Sequence, residues 1–263
     1  MRISSLVATA LLCLSAVSAG ADSLLERLDT GNDSAGWEAV GRLDLGGVGF
    51  CTGALISPTL VLTAAHCMFD PKTGKLLDAG NVEFLAGWRN GRASAYRTVR
   101  RAVVHPDYVY ETTPSPERVR HDLALLELHH PVRNTTVEPF ETAPDARAGD
   151  QIGVVSYAQG REEAPSLQKL CNIRARQQGV IVMTCDVDHG SSGAPIFSFE
   201  GGRPRIVSVV SSKARVDADE VALGTSLAEP LADLQRMMAE TPRITVRRLG
   251  ADTRGTTAKF VKP

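Results

Sequence analysis

An all-β chain in two halves, closed by a C-terminal helix, is what this sequence predicts, and three observations carry the prediction. Short apolar or alternating runs dominate, a proline-bearing stretch divides them, and one helical period stands near the end. The runs are Ala39–Leu45, Ala54–Ile56, Leu60–Thr63, Val82–Ala86, Leu123–Leu128, Ile152–Tyr157, Val180–Thr184 and Ile206–Val210, with Gly, Pro, Asn and Asp between them. Strands this short, punctuated by turn residues, build a barrel or a sandwich. His129 to Asp150 holds three prolines and little periodicity, so it is read as the connection between the halves. Glu229-Pro230-Leu231 then opens a helix, because proline suits a first turn, where no intrahelical N–H bond is lost. Leu231, Leu234, Met237 and Met238 share one face of it, and Pro242 is expected to stop it.

Composition and the chain ends bound the function. With 43% hydrophobic and 22% charged residues among 263, the chain can bury an ordinary core. A formal net charge of -1 gives no general attraction to nucleic acid, and none is expected as a partner. Met1-Arg2, an apolar run from Leu6 to Val17 and the small residues Ala19-Gly20-Ala21 have the layout of a secretory signal peptide over residues 1–21. The run is too short for a membrane span, so a secreted or periplasmic protein without a membrane anchor is expected. Residues 22–36 would form an N-terminal arm or a short propeptide, 37–240 the folded unit, and 241–263 a basic, solvated tail. Removing the signal leaves Cys51, Cys67, Cys171 and Cys185. An even number in an exported chain predicts two disulfides; three connectivities are open, and proximity favours Cys51–Cys67 with Cys171–Cys185.

Three segments carry chemistry. Leu62-Thr63-Ala64-Ala65-His66-Cys67 offers a base, His121-Asp122 followed by the apolar Leu123–Leu128 an acid, and His189-Gly190-Ser191-Ser192-Gly193-Ala194-Pro195 a serine in a glycine-flanked turn. A serine hydroxyl is a poor nucleophile until a base takes its proton and a third group orients that base. Ser192, His66 and Asp122 are the candidates for those roles, on the general logic of the Ser-His-Asp triad. Gly190 would let its N–H point at a developing oxyanion, with the N–H of Ser192 as second donor. Alone, Asp122 would read as a turn residue and His66 as structural; the three motifs in this order outweigh that.

With these motifs, the chain resembles the chymotrypsin-like (trypsin-type) serine proteases over roughly residues 37 to 240, closer to bacterial secreted members than to animal digestive ones. The resemblance implies two antiparallel six-stranded β-barrels, divided near 129–150, with the site between them and a C-terminal helix. It implies the disulfide pairs that proximity favours, polypeptide substrates and catalysis without metal or cofactor; a monomer is expected. Asp186 lies six residues before Ser192, where trypsin-like members carry the carboxylate that selects Arg or Lys; bacterial glutamyl endopeptidases also show an aspartate near here, which leaves that preference open. Ser208 resembles the family serine that hydrogen-bonds the catalytic aspartate, and its strand would pair with extended substrate. Val210 stands for a glycine of trypsin and would narrow the pocket entrance.

The chain also departs from the family. Ser191 occupies the place of the aspartate that receives a freed N-terminal ammonium in trypsins, and no Ile-Val-Gly-Gly precedes Cys51. A zymogen switch of that type is therefore not expected. His105-Pro106-Asp107-Tyr108 reads as structural, the Asp70–Asp78 segment as a turn, and neither His121 nor His129-His130 has the spacing of a zinc motif. The expected function is a secreted serine endopeptidase working through an acyl-enzyme. The rivals are a catalytically silent binding protein on the same fold and an esterase, the latter disfavoured because Gly-x-Ser-x-Gly is missing.

Overall fold

A short strand β1 (Glu26–Arg27) precedes six strands that close on themselves: β2 (Val40–Leu45), β3 (Phe50–Ser57), β4 (Leu60–Thr63), β5 (Val82–Ala86), β6 (Ala95–Val104) and β7 (Ala124–Leu128). Around this barrel the order is β2-β3-β4-β7-β6-β5, all antiparallel. Closure leaves no open sheet edge. Gly41 of β2 is required by crowding, since a Cβ there would overlap the ring of Phe84 and the carbonyl oxygen of Leu85. These positions come from a computed structural model describing residues 25–111, 115–143, 146–216 and 218–240. The expected signal peptide (1–21), the tail (241–263) and Pro242 lie outside the described residues.

A second barrel follows from β8 (Gln151–Ala158), β9 (Arg161–Gln177), β10 (Val180–Met183), β11 (Pro195–Ser198), β12 (Arg205–Val216) and β13 (Asp219–Ser226). Here the ring runs β8-β9-β10-β13-β12-β11, closed by the β11–β8 pairing, with β1 added along β9. Both halves are thus six-stranded antiparallel barrels, as the resemblance implied. The connection between them is stitched to each: Phe140 N–H donates to Leu55 O and Ala143 N–H to Ile206 O, at 2.9 and 2.8 Å. Helix α1 (Pro116–Arg120) starts at Ser115, whose side chain accepts the Arg118 N–H at 3.1 Å. Helix α2 (Ala228–Glu240) buries Leu231, Leu234 and Met238, and Met237 packs partly buried beside them. Arg101 of β6 donates to the Met238 carbonyl at 2.6 Å, fixing α2 on the first barrel.

Both disulfides are of the expected pairing, Cys51–Cys67 and Cys171–Cys185. Each closes a short loop, 16 and 14 residues in sequence separation, worth about 3 kcal/mol in the chain-entropy picture. Several elements differ from the sequence expectation. The alternating runs did not reveal β1, β6, β9, β11 or β13, and β12 runs six residues beyond Val210. Arginines in β6, and charges with Pro165 in β9, hide these strands from an apolar-run reading.

Candidate active site

Three loops converge where the barrels meet. After β4 the chain turns through a short 3₁₀ segment, Ala65–Met68, that carries His66, and the Cys51–Cys67 bridge pins the next residue to β3. After α1, Asp122 leads into β7 with its side chain fully buried. Its backbone carbonyl accepts the Thr225 hydroxyl of β13 at 3.2 Å, a contact across the two barrels. Ser192 lies in the turn between β10 and β11, half-buried, while Ser191 and Gly193 on either side are buried.

Asp122 and His66 are joined twice. His66 Nδ1 lies 2.7 Å from Asp122 Oδ2, and the His66 backbone N–H donates to Oδ1 at 2.8 Å. Nδ1–H facing a carboxylate fixes the tautomer and leaves Nε2 as the nitrogen that accepts a proton. Burial pushes the Asp122 carboxyl up, but the His66 imidazole and the hydrogen bonds from His66 and Ser211 outweigh it and hold it below the ordinary carboxylate range. The aspartate is thus an anion whose two buried oxygens both accept hydrogen bonds. Ser192, His66 and Val210 line one cleft of about 290 Å³, together with Val187, Asp188, His189 and the Ser211–Lys213 edge of β12.

The backbone of the 188–194 turn is satisfied selectively. The Ser191, Gly193 and Ala194 N–H groups donate to Asp188 O, Val210 O and Ser191 O at 2.8–2.9 Å. Among the described residues, the N–H groups of Gly190 and Ser192 have no protein acceptor. His189 O accepts from Gln159 N at 2.7 Å, so the trans peptide that follows carries the Gly190 N–H on its opposite side. Gly190 holds φ at +93°, and a Cβ there would overlap the Phe50 ring. The turn is also tied to the first barrel. Thr52 of β3 donates its N–H to Ser192 O and its hydroxyl to Gly190 O, both at 2.8 Å. Its hydroxyl accepts from Tyr157 N at 3.1 Å. The sequence reading missed Thr52, and only its position beside Cys51 hinted at proximity to the site.

Two candidate substrate residues need correction. Ser208 does not reach Asp122: its hydroxyl donates to Thr225 O at 2.9 Å, inside a strand paired on both sides. The hydroxyl that donates to Asp122 Oδ2, at 2.5 Å, belongs to Ser211. A bulge between Val210 and Ser212 breaks the two-residue alternation there and turns Ser211 toward the aspartate. The strand edge left open beside Ser192 is accordingly 211–213, since 205–209 already pairs with β11. Asp186 is exposed and does not line the cleft; its N–H is held by Gln168 Oε1 at 2.8 Å, and Asp188 and His189 face the cleft instead. Val210 does line it. Ser191 is buried, with its hydroxyl donating to Ser156 Oγ or Tyr157 O at 3.2–3.3 Å and accepting the Asp188 N–H. Neutral hydrogen bonds thus hold the turn where trypsins use an ion pair.

Ser211→Ala should lower kcat about 10-fold with KM nearly unchanged, because one donor to the buried carboxylate is lost while the cleft keeps its shape. Ser208→Ala should leave kcat intact. Steady-state kinetics on one peptide substrate separates the two, and equal losses would undo the Ser211 assignment.

Residues 51–204 match the family model described as trypsin-like peptidase domain. Glutamyl endopeptidase of Bacillus licheniformis is 25% identical over 157 residues, covering 59% of this chain and 48% of that protein. Serine protease 56 of Mus musculus is 35% identical over 200 residues, covering 66% of this chain and 32% of that protein. The chain therefore spans about half or less of the length of these curated relatives. Among solved structures, a Glu endopeptidase in complex with MPD superposes with a TM-score of 0.67 at 16% identity, covering 81% of this chain and 96% of that one. At that identity the likeness speaks for the fold.

Proposed function

The chain belongs to the trypsin-like peptidase domain family, and from that premise we propose that it is an exported serine endopeptidase with Ser192, His66 and Asp122 as its triad. The observation that carries this reading is the pair of unpartnered N–H donors, Gly190 and Ser192, beside a serine that shares a cleft with a carboxylate-oriented histidine. Such donors cost free energy when left without acceptors, and they are of use where an oxyanion forms. Ser192 Oγ attacks the scissile carbonyl as His66 Nε2 takes its proton. The carbonyl oxygen becomes the oxyanion bound by the two N–H groups, while Asp122 stabilises the imidazolium. His66 then gives the proton to the departing amine, leaving an acyl-enzyme that water hydrolyses by the same route. The open edge at 211–213 would pair with the substrate backbone. Export is supported by the N-terminal apolar run and by two disulfides, which persist in oxidising compartments.

For the side chain preceding the cleaved bond we read an acidic preference. Lys213 lines the cleft, and its hydrogen bond to Glu220 holds the ammonium more firmly protonated than usual. Asp188, the one carboxylate of the cleft lining among the described residues, has Oδ1 engaged by the His189 N–H at 2.8 Å. The name of the Bacillus relative points the same way. The test is cleavage of a peptide library diverse at this position, beside labelling of Ser192 with an active-site phosphonate. Cleavage after Glu or Asp, reduced at least 10-fold in Lys213→Met, is expected. Cleavage after Arg or Lys would transfer the selecting role to Asp188. A protein that neither cleaves nor takes the label would be the silent binding protein instead.

A further inference from the structure

We propose that His105, Asp107 and His121, on the face of the first barrel behind Asp122, form a binding site for a divalent transition metal ion of the zinc type. A nitrogen from each ring and a carboxylate oxygen of Asp107 lie within 4.8 Å of one another. Ligands of a tetrahedral ion at about 2.0–2.1 Å stand roughly 3.4 Å apart, so closure needs side-chain movements of about an ångström. Asp107 is exposed and free to make one of them. The rings stack at 4.9 Å with 15° between their planes, so His121 must also turn about χ2 for its lone pair to converge.

The chemistry of each group fits. His105 is 4% exposed, and a metal ligand of this kind must be the neutral ring. Its Nδ1 accepts the Asp107 N–H at 3.3 Å, so the lone pair lies on the side of Asp107, and ligation would exchange this long hydrogen bond for the metal. Its Nε2 then bears the proton and lies 3.9 Å from Asp233 Oδ2, outside hydrogen-bond reach but the nearest carboxylate to that nitrogen among the described residues. Among the described residues, His121 Nδ1 is buried without a hydrogen-bond partner, its nearest carboxylate being Glu117 Oε1 at 3.7 Å. An orphaned imidazole nitrogen in a two-histidine, one-carboxylate group is a ligand in want of an ion. The cluster opens on a cavity of about 580 Å³, with room for water at a fourth position. Two guanidinium groups share that cavity, but Arg120 is engaged by Glu117 and Gln178, and Arg176 by Ala146 O and Ser226 Oγ. The three ligands are spread over two loops, which is why their spacing resembles no zinc motif.

The test is calorimetric titration of Zn²⁺ into the full exported chain carrying Ser192→Ala, which prevents self-cleavage, with the visible absorption of bound Co²⁺ as second readout. One saturating equivalent is expected, with affinity about 10-fold or more weaker in Asp107→Asn and in His121→Asn. Asp107 is exposed, so Asp107→Asn keeps the test valid even where His121→Asn disturbs folding. His66→Ala should bind as tightly as the parent. Binding that survives both cluster variants, disappears in His66→Ala, or does not saturate below about millimolar metal would overturn the proposal.

Discussion

Ser192→Ala should lower kcat by roughly 10⁵- to 10⁶-fold while leaving thermal unfolding within about 0.5 kcal/mol of the parent. Both halves follow from what the hydroxyl does and does not touch. Among the described residues it makes no protein hydrogen bond, so its removal leaves no partner unsatisfied. Ser191, next in the chain, is the internal control. It is buried, and its hydroxyl bonds to Ser156 or Tyr157 and to the Asp188 N–H. Ser191→Ala should therefore cost about 1–2 kcal/mol of stability yet retain most activity. Burst kinetics and denaturant unfolding on both variants check the pair. Full turnover in Ser192→Ala would remove the nucleophile from the proposal; a dead but stable Ser191→Ala would exchange the two roles.

Gly193→Ala should destabilise the fold by roughly 2–5 kcal/mol, a large share of the total for a protein this size. Gly193 sits at φ +77°, and a Cβ there would overlap the Thr63 hydroxyl and the Thr52 carbonyl oxygen. Those two atoms are hydrogen-bonded to each other at 2.9 Å, so neither gives way without breaking that bond. The measurement is urea unfolding in the Ser192→Ala background, where self-digestion cannot mimic instability. A loss under about 1 kcal/mol would mean that the seam between the barrels is softer than its contacts indicate.

What could be read from the sequence depended on whether a feature is local. The glycine-flanked serine turn, the His66 segment and the Asp122 strand entry each fit in a dozen residues, and their order sufficed to suggest the barrels. Helix α2 was legible because Leu231, Leu234 and Met238 repeat on its buried face. Strand β9 was not: its seventeen residues carry six charges, because much of it faces solvent while it bends from β8 to β10. Ser211 was missed for a subtler reason. Ile206 to Lys213 presents three serines, and only the bulge after Val210 decides which one meets Asp122. Asp186 was placed by counting back from Ser192, which presumes a loop path that the Gln168 contact and the Cys171–Cys185 bridge redirect.

Thr52 gives the molecule a property of another kind. One threonine of the first barrel fastens the Gly190 and Ser192 carbonyls of the second, so under the proposed function reactivity of Ser192 would report that two separately closed bodies have docked. A chain with a single barrel formed, as arises midway through the folding of a protein this long, would own the hydroxyl but not its alignment. During refolding, phosphonate uptake should then count docked molecules and trail the recovery of β-sheet signal.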